Sequence, residues 1–173
     1  MNMMSSPDLV TSSYKTVRPT IKSGDLIAFS HRGWSTWYDI KLQLIRIFTR
    51  SEYTHVGVAW VVAKRVFILE AVVPLTRIFP LSKFNEFYHI DMNVKWTVPA
   101  EEYALAHIGY PYSQLDAVKS LFETVGDEQV NQCAAYTIQV MEVLEVDLGK
   151  RATPSSVIQA ALALGKKLTF IKN

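Results

Sequence analysis

Apolar residues along the chain fall into two periods. Short runs that alternate or are wholly apolar read as strands, and longer stretches with apolar positions every three or four residues read as helices. Ser23-Gly24-Asp25 is a turn signal before the apolar run Leu26-Ile27-Ala28-Phe29, which predicts a buried strand closed by His31-Arg32-Gly33. From Trp34 to Phe48 the apolar positions Trp37, Ile40, Leu44 and Phe48 recur at helical spacing. After a polar break, Val56 to Val62 and Val66 to Val73 are rich in β-branched and aromatic residues and flank Ala63-Lys64-Arg65, the pattern of a β-hairpin. Further strands are expected at Glu86 to Ile90 and Val94 to Val98. Pro99 followed by Glu101 and Glu102 opens a helix that Gly109 ends, and Ser113 to Phe122 suits another. Asn131 is a suitable N-cap for a helix from Gln132 to about Leu144, and Thr153-Pro154 opens a last helix closed by Gly165. Residues 1–20 lack periodicity and read as a flexible arm ahead of a single domain over residues 21–173. The order predicts an α+β fold, a largely antiparallel sheet packed against helices.

Composition narrows what such a domain does. Of 173 residues, 49% are hydrophobic, enough for a core, and the formal charge of +2 comes from scattered basic residues that form no nucleic-acid-binding stripe. The single cysteine, Cys133, excludes an intramolecular disulfide and any all-cysteine metal site. His89 and His107 have no partner at metal-ligand spacing, so neither a metal nor another cofactor is expected. The apolar stretches fall far short of the roughly 20 residues that span a bilayer. Met1 to Val17 lacks the pattern of a signal peptide, which points to the cytoplasm, or to a virion or host cytoplasm if the chain is phage-encoded.

Three residues could carry chemistry together. Cys133 is expected in the first turn of its helix, where the dipole favours a thiolate and its own N–H could steady an oxyanion. A lone cysteine is also a common small buried hydrophobe. His55 opens the first hairpin strand, where a histidine can equally be a half-exposed filler. Glu70 interrupts an apolar strand, at a cost unless it is paired. If the hairpin loop holds an even number of residues, residue 57 faces residue 70, and His55 and Glu70 then share one side of the sheet. An odd loop separates them unless a bulge restores the phase. On a shared face Glu70 could orient His55 while the other ring nitrogen meets a thiol. Otherwise Glu70 is a structural partner of a Lys or Arg.

Gly24-Asp25-Leu26-Ile27, Thr54-His55-Val56-Gly57-Val58, Leu69-Glu70-Ala71, Cys133 at a helix head and Thr153-Pro154-Ser155 occur in this order. Over about residues 23–158 the string resembles the circularly permuted NlpC/P60 group of papain-like cysteine hydrolases. The resemblance implies a permuted papain-like fold, with Cys133 as nucleophile, His55 as base and Glu70 as orienting residue. It further suggests Gln132 as an oxyanion donor and Tyr112 as a cleft residue. Ala134-Ala135 after the cysteine departs from the group's polar or aromatic context. The implied function is a cysteine peptidase or amidase acting on an amide or peptide bond, with peptidoglycan fragments the commonest theme. The alternatives are a lipid acyltransferase or thioesterase of the same fold, for which Trp34, Trp37 and Ile40 would line a greasy cleft, and a catalytically inactive binding domain.

Overall fold

The computed structural model describes residues 10–30, 53–111 and 132–173. Its centre is a seven-stranded sheet in the order β1-β7-β6-β2-β3-β4-β5. The strands are β1 (Val10–Ser13), β2 (Leu26–Ser30), β3 (Tyr53–Val62), β4 (Arg65–Ala71), β5 (Thr76–Pro80), β6 (Glu86–Ile90) and β7 (Leu168–Lys172). The described helices are α1 (Tyr14–Val17), α2 (Val98–Ala106), α3 (Gln132–Val143) and α4 (Pro154–Ala163). Every pairing is antiparallel except that of β1 with β7. The mixed α+β class and the largely antiparallel sheet are therefore as expected.

The hairpin sets the register of the site. β3 and β4 pair Val62 with Arg65 and Val58 with Leu69, which leaves Ala63 and Lys64 as a two-residue loop. Both loop residues have positive φ, 48° and 60°, the conformation whose twist matches the flanking strands. The Arg18 guanidinium donates to the Lys64 carbonyl at 2.7 Å and pins the turn. The loop is thus even, and the ladder runs unbroken from Val62 and Arg65 to Val58 and Leu69, one pair short of Gly57 and Glu70.

Strand alternation divides the core between two faces. Leu26, Ala28, Val56, Val58, Leu69 and Ala71 pack under α3 and α4. Ile27, Phe29, Ala59, Ile68, Phe87 and Ile171 face the other way, covered by Tyr14, Ile21 and Leu81. In α3 every residue from Gln132 to Met141 is buried. Ala134 and Ala135 lack the bulk to hold this helix away from β3 and β4. Tyr136 donates from its hydroxyl to the Ala104 carbonyl at 2.9 Å, tying α3 to α2. The start of α4 is as expected: Thr153 caps it, Pro154 follows, and Thr153 and Ser156 form a reciprocal capping box.

Several expectations need correction. Val94 to Val98 is not a strand: residues 91–97 are irregular and Val98 begins α2, capped by the Thr97 hydroxyl accepting from the Ala100 N–H. Trp96 is held instead through its indole N–H, which donates to Glu101 Oε2 at 2.8 Å. The expected arm is built into the sheet from residue 10 onward, because β7 offers a free edge to β1 and Tyr14 packs edge-on against Phe87. Strands β5 and β7 had not been expected. The expected helices Trp34 to Phe48 and Ser113 to Phe122, and the residues His31 and Asn131, lie outside the described residues.

Gly57 marks a close approach of β3 to β4. A Cβ there would stand 2.7 Å from the Leu69 carbonyl oxygen and 2.8 Å from Ile68 Cδ1. Backbone cannot yield as a side-chain tip can, so Gly57→Ala is expected to destabilise the protein by roughly 1–3 kcal/mol. Lys64→Gly, which relieves a non-glycine residue of positive φ, is expected to stabilise it by about 1 kcal/mol. Urea unfolding of both variants checks the pair of signs.

Candidate active site

The even loop brings His55 and Glu70 to one side of the hairpin. His55 Nε2 and Glu70 Oε2 are 2.6 Å apart, and both side chains have 0% exposure. Cys133 is also fully buried, at the second position of α3. It lies close enough to the His55 side chain to act on the charge of the imidazole. With Nε2 taken by Glu70, Nδ1 is the ring nitrogen that remains to exchange a proton with sulfur. The three sequence candidates thus form one line: thiol, imidazole, carboxylate.

A break in the ladder lies beside His55. The β2–β3 register shifts between Phe29 and Ser30, so that Phe29 faces His55 while Ser30 faces Tyr53. Tyr53 packs in the cluster beneath the helices, whereas Phe29, with its ring 5.7 Å from the imidazole, belongs to the opposite one. His55 therefore stands where the two clusters meet, reached by Cys133 on one side and Phe29 on the other.

Electrostatics favours charge on this line. Burial alone would lower the His55 pKa, but Cys133 nearby and the charge and hydrogen bond of Glu70 outweigh it and raise the value from 6.5 to about 9. Burial likewise opposes ionisation of Glu70, yet its pKa is lowered, because His55 and Arg77 both hold the carboxylate. Arg77 Nε donates to Glu70 Oε1 at 2.9 Å, and Nη2 makes an ion pair with the same oxygen at 2.8 Å. The sequence left a Lys or Arg partner open for Glu70 without identifying Arg77. The signal lay in Thr76–Pro80, an arginine among apolar residues at the distance of one hairpin from Glu70, but Pro80 and the nearby Pro74 masked the strand.

Of the remaining candidates, Gln132 is buried next to Cys133 at the head of α3, and Tyr112 lies outside the described residues. His89, set aside in the sequence, bonds Asp25 through Nε2 at 2.8 Å, and Asp25 also accepts from the backbone N–H groups of Lys22 and Met92. That pair ties β6 to the turn before β2. His107 is held by the Tyr103 carbonyl. Among the described residues no group of three His, Cys, Asp or Glu side chains could hold a metal ion, and no helix is long and apolar enough to cross a membrane.

No family model matches the chain. No curated protein matches it either. A solved structure, described as the metalloprotein yiiX from Escherichia coli O157:H7, DUF1105, aligns over 75% of this chain and 69% of its own, with 20% identity and a TM-score of 0.49. A likeness that distant says nothing about the chemistry of this chain. The kinship with the NlpC/P60 group expected from the short motifs is overturned: this structural likeness carries a different description and no family model supports the kinship. Each motif was only a few residues long, and turns such as Gly-Asp or pairs such as Thr-His arise in many strands for local reasons. The expectation of a peptidoglycan substrate rested on that kinship and is withdrawn with it.

The Glu70 charge has a consequence for stability. A carboxyl held below its ordinary value of 4.5 stabilises the fold above that pH, and the contribution is lost as pH falls through the lowered value. Glu70→Gln is expected to cost roughly 2 kcal/mol at neutral pH, with the deficit shrinking below pH 4.5 as the native carboxylate protonates. Urea unfolding of both proteins between neutral and acid pH reads this convergence; a constant deficit would show that the carboxylate charge contributes nothing.

Proposed function

We propose that the chain is a thiol hydrolase that cleaves an amide or peptide bond through an acyl-enzyme. The observation that carries this reading is that His55 is bonded to Glu70 at 2.6 Å and stands close enough to Cys133 for each to act on the other's charge. A cysteine buried merely for packing has no need of a charged base and a carboxylate behind it. In chain order the base and carboxylate precede the nucleophile, and the nucleophile heads a helix laid on an antiparallel sheet. We read this as a permuted papain-like arrangement.

His55 takes the proton of Cys133, and the thiolate Sγ attacks the carbonyl carbon. The N-terminus of α3 steadies the oxyanion by its dipole and N–H groups, with Gln132 as the side chain assigned to assist. The imidazolium then gives its proton to the leaving nitrogen as the C–N bond breaks. In the second half His55 takes a proton from water, hydroxide attacks the thioester, and the acid leaves as sulfur regains its proton. Glu70 holds the imidazole in one orientation and stabilises its charged form. An inactive binding domain predicts a buried Cys133 remote from His55, and the nearness of the two speaks against it.

An activated ester tests this without knowledge of the natural substrate. With p-nitrophenyl acetate, intact mass spectrometry is expected to show a transient acetyl adduct on Cys133, absent in Cys133→Ser and formed about 100-fold more slowly in His55→Ala. Acylation no faster than that of the thiol in the unfolded chain, or indifferent to His55, would exclude the hydrolase reading.

A further inference from the structure

We infer that Arg77 is a positioning residue for the Cys133–His55–Glu70 line, acting through the Glu70 carboxylate; this rests on the reading of that line as the reaction centre. Arg77 lies opposite Glu70 in the β4–β5 ladder. It places Nε and Nη2 on one carboxylate oxygen, Oε1, and leaves Oε2 for His55. The two oxygens are thereby divided between two partners, and rotation of the carboxylate would break both contacts together. Glu70 cannot hold the imidazole in a different orientation while Arg77 is in place.

The guanidinium is itself fixed. It lies over the Phe79 ring, 4.5 Å from its centroid, and Phe79 in turn packs edge-on against Phe84 at 5.3 Å. The start of β5 is tied down by the loop after α2: the Gly109 N–H donates to the Thr76 carbonyl at 2.8 Å and the Thr76 N–H to the Tyr110 carbonyl at 3.0 Å. Arg77 is 37% exposed at its side chain while Glu70 is fully buried. It therefore supplies the balancing cation from the solvent side, so that His55 is not left as sole counter-charge to a buried carboxylate.

Charge arithmetic gives the test its sign. The titratable and charged groups of the line are Arg77 from β5, Glu70 from β4, His55 from β3 and Cys133 from α3. With all four ionised the line is neutral. Removing the guanidinium leaves one net negative charge, which favours proton uptake and makes the thiolate harder to form.

The experiment is a pH titration of thiolate ultraviolet absorbance in the full chain, with Cys133→Ser as the blank that removes the tyrosine signal. In Arg77→Met the midpoint of thiolate formation is expected to rise by about one pH unit, while Arg77→Lys, which keeps the charge, recovers most of that shift. A structural role alone would change the folded fraction and leave the midpoint of the folded protein in place. Should Arg77→Met fail to fold, Arg77→Gln reads the same shift, since it keeps an N–H for Oε1 and drops the charge. An unchanged midpoint in a folded Met or Gln variant, or equal shifts in Lys and Met, would overturn the role of Arg77. His55→Ala separates this from the broader reading: if its thiolate midpoint equals that of the native protein, the reaction centre itself fails, whereas a midpoint that moves with His55 and not with Arg77 refutes the positioning role alone.

Discussion

The arrangement depends on keeping a charged carboxylate inside a sheet. Glu70 has no exposure to solvent, and an ion so placed costs several kcal/mol unless its lone pairs are met. Arg77 and His55 meet them from the strands on either side, one on each oxygen. Strand alternation, the two-residue turn and the pairing of β5 all converge on that carboxylate. A one-residue slip of either neighbour would turn Arg77 or His55 away from Glu70 and leave a bare charge in the core.

The same constraint links the sheet to the helix above it. Packing of α3 on β3 and β4 brings the second residue of that helix to the imidazole already held by Glu70. Ala134 and Ala135, which in the sequence looked like a departure from a reactive cysteine's usual company, make room for this approach. Gly57 performs the matching service in the sheet, where a Cβ would strike the Leu69 carbonyl. Small residues on both sides of the line let large polar ones meet. Burial alone would strip the imidazole of its proton; Cys133 and Glu70 on either side are why it keeps that proton above its ordinary range.

Much of this geometry was legible in the sequence because hairpin parity is local. Two β-branched runs around Ala63-Lys64-Arg65 announced the hairpin and reduced the shared face to a question of loop parity, and a carboxylate amid Ile68, Leu69, Ala71 and Val72 announced that it needed a partner. The helix head carrying Cys133 and the capping of α4 were legible for the same reason, since caps and amphipathic spacing act over a few residues. Long-range pairing was not. Arg77 meets Glu70 only through a strand interrupted by prolines, His89 finds Asp25 from 64 residues away, and β1 joins β7 across nearly the whole chain. Val94 to Val98 has strand composition, yet Thr97 and Pro99 start a helix there and the Trp96 indole is captured by Glu101. The family resemblance failed because such local motifs are shared by unrelated sheets.

The central claim is that a buried imidazole stands charged between a thiolate and a carboxylate. Nitrogen-resolved NMR of the His55 ring across pH, in the native protein and in Cys133→Ser, reads this directly. Both ring nitrogens are expected to be protonated at neutral pH, with the proton leaving near pH 9 in the native protein and at clearly lower pH once the sulfur is replaced. A ring that is neutral at pH 7 and titrates identically in both proteins would contradict the claim and leave Cys133 a packing residue.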